Sequence, residues 1–222
     1  MKTKQIQKIF FNNGYVILRK FILKKELSKI LNKINEVLNK TIEIHNLNHK
    51  NKIYSKNLES NYLDLKKKNP RLKSIFYDTL GDLQAINNLF TNNKLQNVIE
   101  SLLPTSAVID KIQVRIDDKS NDRILPLHQE VAQMSLINVT VWIPLQKISN
   151  QNQGGISVIE GSHTKGFLPH KNYDKRYNYY GVEKKYIKNL QVKNLSFNQG
   201  DVLIFHPLLI HGSLPSKFKK IR

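Results

Sequence analysis

From Ala107 to the carboxyl end the chain is a series of short apolar or alternating runs, VIDKIQVRI, SLINVTVWIPL, GGISVIEG and DVLIFHPLLIHG, separated by clusters of Asn, Gly, Ser and Pro. Short runs of that kind, punctuated by turn residues, are strands. A succession of them must bury one face against another sheet or against itself, so this half is predicted to be a β barrel or jelly roll. Residues 1–104 follow a different period. Leu27, Ile30, Leu31, Ile34, Val37, Leu38 and Ile42 have helical spacing and predict a helix over residues 23–42 with a lysine-rich solvated face. Residues 70–80 and 92–103 are also predicted helices, the second capped by Thr91 and stopped before Pro104. Tyr15, Val16 and Ile17, after Asn-Asn-Gly, predict an edge strand within residues 10–22. Residues 45–69 are polar without a sustained period and read as a loop. The fold class is α+β with a mainly β core, in one domain over residues 1–222: a mainly helical part (1–104) and a β core (105–222).

The chain has no cysteine, which removes disulfides, thiolate metal sites and cysteine nucleophiles. His and carboxylates are left as the strong candidate metal ligands, and they favour first-row metals. No segment approaches the roughly 20 apolar residues that cross a bilayer. The opening MKTKQIQKIFFNNG has no apolar core or small-residue cleavage site, so a cytoplasmic protein is expected. The net charge of +19 raises nucleic acid as a partner, but the lysines are spread along the chain among Asn and Ile. That pattern favours an anionic small substrate over nucleic acid. The sequence does not set an oligomeric state.

Asn198 to Arg222 reads NQGDVLIFHPLLIHGSLPSKFKKIR, a Gly-Asp turn opening an apolar β run over residues 202–210 that ends at His211 and Ser213. These two are two apart, so a strand projects both to one face. Residues 214–219, with Pro215, read as a turn, and Lys220 to Arg222 as a returning strand that places Arg222 roughly opposite His211. Two readings stand: a metal ligand beside a carboxylate clamp, or a core histidine with a surface arginine. His128 and Glu130 in LPLHQEV are likewise one residue apart and point the same way on an extended segment. With His211 they make two histidines and a carboxylate, the facial set of non-heme Fe(II) oxygenases, whose ligand atoms lie about 2.0–2.2 Å from the metal.

Other positions leave alternatives. Gln113 and Arg115 alternate with apolar neighbours, so they either enter the same pocket or line a solvated strand face. Ser162 and His163 are expected to fix their loop by hydrogen bonds, and His206 to be a satisfied core histidine. His45 and His49, four apart without nearby carboxylates, read as solvent-exposed. Residues 168–188, with His170 and several tyrosines, form a long connection of the kind that carries substrate contacts or a lid.

Taken together, NGYVILRKFI, LHQE, VWIPL, QNQGGISVIEGSHTKG, GDVLIFHPLLIHGS and the final Arg222 resemble, in order, the phytanoyl-CoA dioxygenase family of Fe(II)- and 2-oxoglutarate-dependent oxygenases. The resemblance implies a double-stranded β-helix, cupin-like jelly roll with flanking N-terminal helices. It implies His128, Glu130 and His211 as ligands of Fe(II), and Arg222 with Ser213 on the distal carboxylate of 2-oxoglutarate. Trp142 would be a wall of the cosubstrate pocket or simply core packing, and Gln113 a further cosubstrate contact. The implied activity is O2-dependent hydroxylation of a C–H bond in a small or carrier-linked substrate. Competing readings are a catalytically decayed jelly-roll binding module and a nucleic-acid demethylase of the same superfamily. The chain departs from the family in having Glu130 where Asp is usual. It also stops at Arg222, where the family's pattern continues, so a short or truncated member is expected.

Overall fold

The computed structural model describes residues 1–45, 58–107, 109, 111–117, 124–130, 137–148, 153–175 and 178–216. It opens with a helix not expected from sequence, α1 (Thr3–Asn13), which buries Ile6 and Phe10. Asn12-Asn13-Gly14 is therefore a helix end rather than a plain turn: Gly14 has φ +81° and donates its N–H to Phe10 O at 2.7 Å. Strand β1 (Tyr15–Leu18) follows at a sheet edge, as predicted. Helix α2 (Lys24–Ile44) buries Leu27, Ile30, Ile34, Leu38 and Ile42, the predicted stripe. Each such side chain contributes roughly 1.5–3 kcal/mol on burial, so packing rather than propensity holds the helix.

The predicted loop over residues 45–69 is corrected where it is described, since Leu58–Lys68 is helix α3. Its buried face is only Asn61, Tyr62 and Leu65, diluted among lysines, and it packs on α2, where Asn61 Nδ2 donates to Asn39 Oδ1 at 2.8 Å. Helix α4 (Pro70–Thr79) starts at Asn69, whose side chain accepts the Leu72 N–H. Helix α5 (Gln84–Phe90) runs up to Thr91, whose hydroxyl donates back to Asn87 O at 3.2 Å. The cap of α6 (Asn93–Leu102) is therefore Asn92 and not Thr91: Asn92 Oδ1 accepts the Lys94 N–H at 2.9 Å.

In the β half, β7 (Val202–Phe205) lies between β1 and β2 (Thr140–Trp142), all antiparallel. A second sheet places β3 (Gln153–Val158) between β6 (Lys193–Asn194) and β8 (His211–Ser216). A hairpin of β4 (His170–Asp174) and β5 (Tyr179–Val182), followed by the short helix α7 (Lys184–Ile187), makes up most of the predicted long connection. The described residues between 107 and 117 form no regular strand, although Ile112, Val114 and Ile116 do pack inward.

The predicted run over residues 202–210 is broken. Pro207 cannot donate to a ladder, and a turn closed by Leu209 N–H to His206 O at 2.9 Å carries the chain from the first sheet to the second. His211 is thus the first residue of a strand, not the exit of one. Nor do residues 214–216 turn: β8 stays paired with β3 as far as Ser216 opposite Gln153. The N–H groups of His211 and Ser213 face residues 125–128. Position 215 is next in that alternation, so the proline's missing N–H falls on the side away from β3.

Two cores result. Val16, Leu18, Val202 and Ile204 face the helices, whereas Tyr15, Leu203 and Phe205 face Val158 and Phe197 of the opposite half of the roll. The start of β7 is tied to the chain just after β1 by buried Asp201, which accepts from Arg19 Nη1 at 2.6 Å, Lys20 N at 2.9 Å and, within its own turn, Asn198 N at 2.9 Å. Gly200 fits there because its φ is +93° and a Cβ would lie 2.4 Å from Ile22 O.

Candidate metal centre

The segment from Leu125 to Glu130 is threaded between β8 and β5. His128 and His211 exchange backbone hydrogen bonds, and Ser213 N–H donates to Leu125 O at 3.0 Å. On the other side Val182 N–H donates to Leu127 O at 2.8 Å, while Glu130 N–H donates to Pro207 O at 2.9 Å. The approach is close enough to need glycine on both flanks. A Cβ at Gly181 would lie 2.9 Å from the Pro126 ring, and one at Gly212 would lie 3.1 Å from both Leu125 O and Pro126 O.

This packing brings three side chains from distant positions to one place. His211 Nε2 is 3.2 Å and His128 Nε2 3.8 Å from Glu130 Oε1, and the three ligand atoms lie within 4.8 Å of one another. Among the described residues it is the one such group of three or more. The longer Glu130 therefore reaches the position that a shorter Asp would have to approach from nearer backbone.

Backbone carbonyls orient both rings. His128 Nδ1 donates to Pro126 O at 2.7 Å and His211 Nδ1 to Leu209 O at 3.0 Å; a carbonyl only accepts, so each Nδ1 carries the proton. In the neutral rings both Nε2 lone pairs then face the carboxylate. Burial pushes His211 below the usual imidazole range, which keeps it neutral. Burial alone would raise Glu130, whereas positive charge at the Nε2 side of His128 and His211 holds it well below the usual carboxylate range; with both rings neutral, a bound cation is what would supply that charge. Three electron-pair donors crowded around one point call for a cation between them. A first-row ion with bonds of about 2.1 Å at right angles wants ligand atoms about 3 Å apart, which the two distances to Glu130 Oε1, 3.2 and 3.8 Å, approach. The donor set fits such a metal.

Two further residues, not anticipated from sequence, hold this segment. Gln129 is 2 % exposed. Its Nε2 donates to Gly166 O at 2.9 Å and Leu208 O at 2.7 Å, and its Oε1 accepts the Leu168 N–H at 2.8 Å. His170, kept neutral by burial, donates from Nδ1 to Leu168 O and accepts the Gln129 N–H on Nε2 at 3.2 Å. The only sequence signal was the position of Gln129 between two ligand candidates.

The remaining candidates are dispersed. Ser213 is half-buried on β8, two residues beyond His211. Trp142 lies on β2 with its ring edge-on to Phe197 at 4.8 Å, in the core between the two sheets. Gln113 is exposed on the side opposite Ile112 and Val114. Arg115 is exposed too and pairs with Asp117 at 3.0 Å. Arg222 and His49 lie outside the described residues, and His45 is exposed. Ser162 and His163 fix their loop as expected, through Ile210 N–H to Ser162 Oγ at 2.8 Å and His163 Nε2 to Phe11 O at 3.0 Å. His206 is half-buried and accepts the Leu208 N–H on Nδ1.

The sequence profile of the family described as Phytanoyl-CoA dioxygenase (PhyH) matches residues 10–222. The human peroxisomal phytanoyl-CoA dioxygenase is 33% identical over 106 residues, covering 44% of this chain and 30% of that protein. The mouse protein of the same name is 34% identical over 106 residues with the same coverage. The match thus spans about a third of the length of these curated relatives. Among solved structures, EctD from S. alaskensis in its apoform aligns with TM-score 0.66 and 14% identity over 100% of this chain and 74% of that one. The epimerase SnoN, in complex with Fe3+, alpha ketoglutarate and nogalamycin RO, aligns with TM-score 0.66 and 12% identity over 99% of this chain and 80% of that one. The architecture is shared with these structures: a jelly roll flanked by N-terminal helices.

Proposed function

Because this chain belongs to the phytanoyl-CoA dioxygenase family, we propose that it is an Fe(II)- and 2-oxoglutarate-dependent dioxygenase that hydroxylates a C–H bond of a small or carrier-linked organic molecule. The observation that carries this reading is the convergence of His128 Nε2, His211 Nε2 and Glu130 Oε1, with both imidazole tautomers set by carbonyls behind them. Iron held there supplies the oxidising chemistry, in which 2-oxoglutarate and dioxygen yield succinate and carbon dioxide and the second oxygen atom enters the substrate as a hydroxyl.

The chain's own groups supply binding and orientation. Ser213, on the same strand face as His211 and two residues on, offers a hydroxyl to the distal carboxylate of 2-oxoglutarate. Arg222 takes that carboxylate in its planar fork and is assigned on its place in the sequence alone. Trp142 walls the same end of the pocket. The apolar lining around Phe205, Val158 and Leu203 excludes water from the reacting centre. Gln129 and His170 keep the His128–Glu130 segment in place from its far side. The spread of lysines suits an anionic group on the substrate.

No helix among the described residues is long and apolar enough to cross a membrane. The test is succinate release from 2-oxoglutarate by purified protein. It should require Fe(II) and be absent in His211→Ala; release that persists in that variant would sink the assignment.

A further inference from the structure

The register of the two sheets sorts the interior of the roll into levels. On β2, Thr140 lies opposite Phe205 and Trp142 opposite Leu203; on β8, His211 lies opposite Val158 and Ser213 opposite Ile156. Trp142, Leu203, Phe205, Val158 and Ile156 all join the core between the sheets, whereas Val141 and Ile204 face the helices. Thr140 is two residues from Trp142 and shares its inward face. The Phe205 ring is 4.5 Å from the His211 ring, which ties Thr140 to the level of the metal ligands and leaves Trp142 and Ser213 one step deeper.

Thr140 is also anomalous. Its Oγ1 is buried and finds no hydrogen-bond partner among the described residues. A buried hydroxyl without a partner costs about 1–3 kcal/mol, and valine would fill the same strand position at no such cost. A polar atom facing inward on a strand position paired with Phe205, whose ring neighbours His211, is best explained by a partner that is not part of the chain.

We propose that Thr140 is a cosubstrate-contact residue whose hydroxyl donates a hydrogen bond to the metal-chelating, keto-acid end of the bound 2-oxo acid. The inference rests on the oxygenase reading above, and divides the pocket into two ends: Thr140 at the His211 level for the chelating end, Ser213 and Trp142 one level deeper for the distal carboxylate.

The test uses full-length protein saturated with Mn(II), without oxygen, titrated by calorimetry with 2-oxoglutarate and with oxalate, which reproduces only the chelating end. Thr140→Val weakens both ligands by about tenfold, the worth of one hydrogen bond to a charged acceptor, while Thr140→Ser stays within about threefold of the parent. Mn(II) affinity is unchanged in both variants. Free of metal and ligand, Thr140→Val melts no lower than the parent, because it sheds an unpaired hydroxyl. The inference is overturned if Thr140→Val binds both ligands like the parent, if only 2-oxoglutarate and not oxalate is weakened, or if Mn(II) affinity falls in parallel. If the parent protein takes up Mn(II) but neither ligand, the oxygenase reading itself fails, a result distinct from a parent that binds and a variant that binds equally well.

Discussion

His128 and His211 lie directly opposite one another as a hydrogen-bonded antiparallel pair, each N–H donating to the other's carbonyl at 2.8 and 3.0 Å. Their rings therefore stand side by side, with centroids 4.3 Å apart, although the two residues are 83 positions apart in the chain. A one-residue slip of this pairing would send one ring to the opposite face and dissolve the site.

The pairing depends on Gly181. An added Cβ would meet the stiff Pro126 ring at 2.9 Å and Leu127 O at 3.0 Å, so the ligand segment itself must move. Gly181→Ala is expected to cost about 1–3 kcal/mol in urea unfolding and to weaken Mn(II) binding at the same time. A variant with parental metal affinity would show that the segment does not need this close flank.

Gln129 presents a second lever. Gln129→Leu leaves Gly166 O, Leu208 O and the Leu168 N–H without their side-chain partner. At about 1–3 kcal/mol for a buried polar group left unpaired, partly offset by relaxation, a loss of roughly 2–4 kcal/mol in unfolding free energy is expected. Because the same segment carries His128 and Glu130, metal affinity should fall by about 10–100-fold, the usual effect of removing support behind a ligand.

Asp201 makes stability depend on acid. Burial would raise its pKa, but N–H groups of Asn198 and Lys20 and the Arg19 guanidinium hold it below the usual value. A folded-state pKa below the unfolded one, which is about 3.9, gives stability that is present above that value and lost as pH falls through the folded pKa. Urea melts of parent and Asp201→Asn should differ by about 1–2 kcal/mol at pH 7, with the gap closing below roughly pH 4. Half-exposed Arg19 supplies little of this, so Arg19→Ala should cost under about 1 kcal/mol.

What could be read from the sequence was what a local pattern encodes. The stripe on α2 and the strand β1 were legible because burial repeats at a fixed period. The convergence of His128 and Glu130 was legible because one residue between them on an extended segment points both to one side. Helix α3 was not, since Tyr62 and Leu65 become apolar anchors only against α2. The break at Pro207 was hidden inside an apolar run, as Leu209 and Ile210 just after it are both buried, in different cores. The tie between Gln129 and His170 joins segments 41 residues apart, which no local pattern records.

The most direct measurement is a Mn(II) titration of the parent protein and of His128→Ala, Glu130→Ala and His211→Ala, followed by electron paramagnetic resonance of the free ion. The account predicts one tight site in the parent and a loss of more than roughly a hundredfold in each variant, beyond what removing a mere supporting residue causes. Tight binding that survives all three substitutions would contradict it.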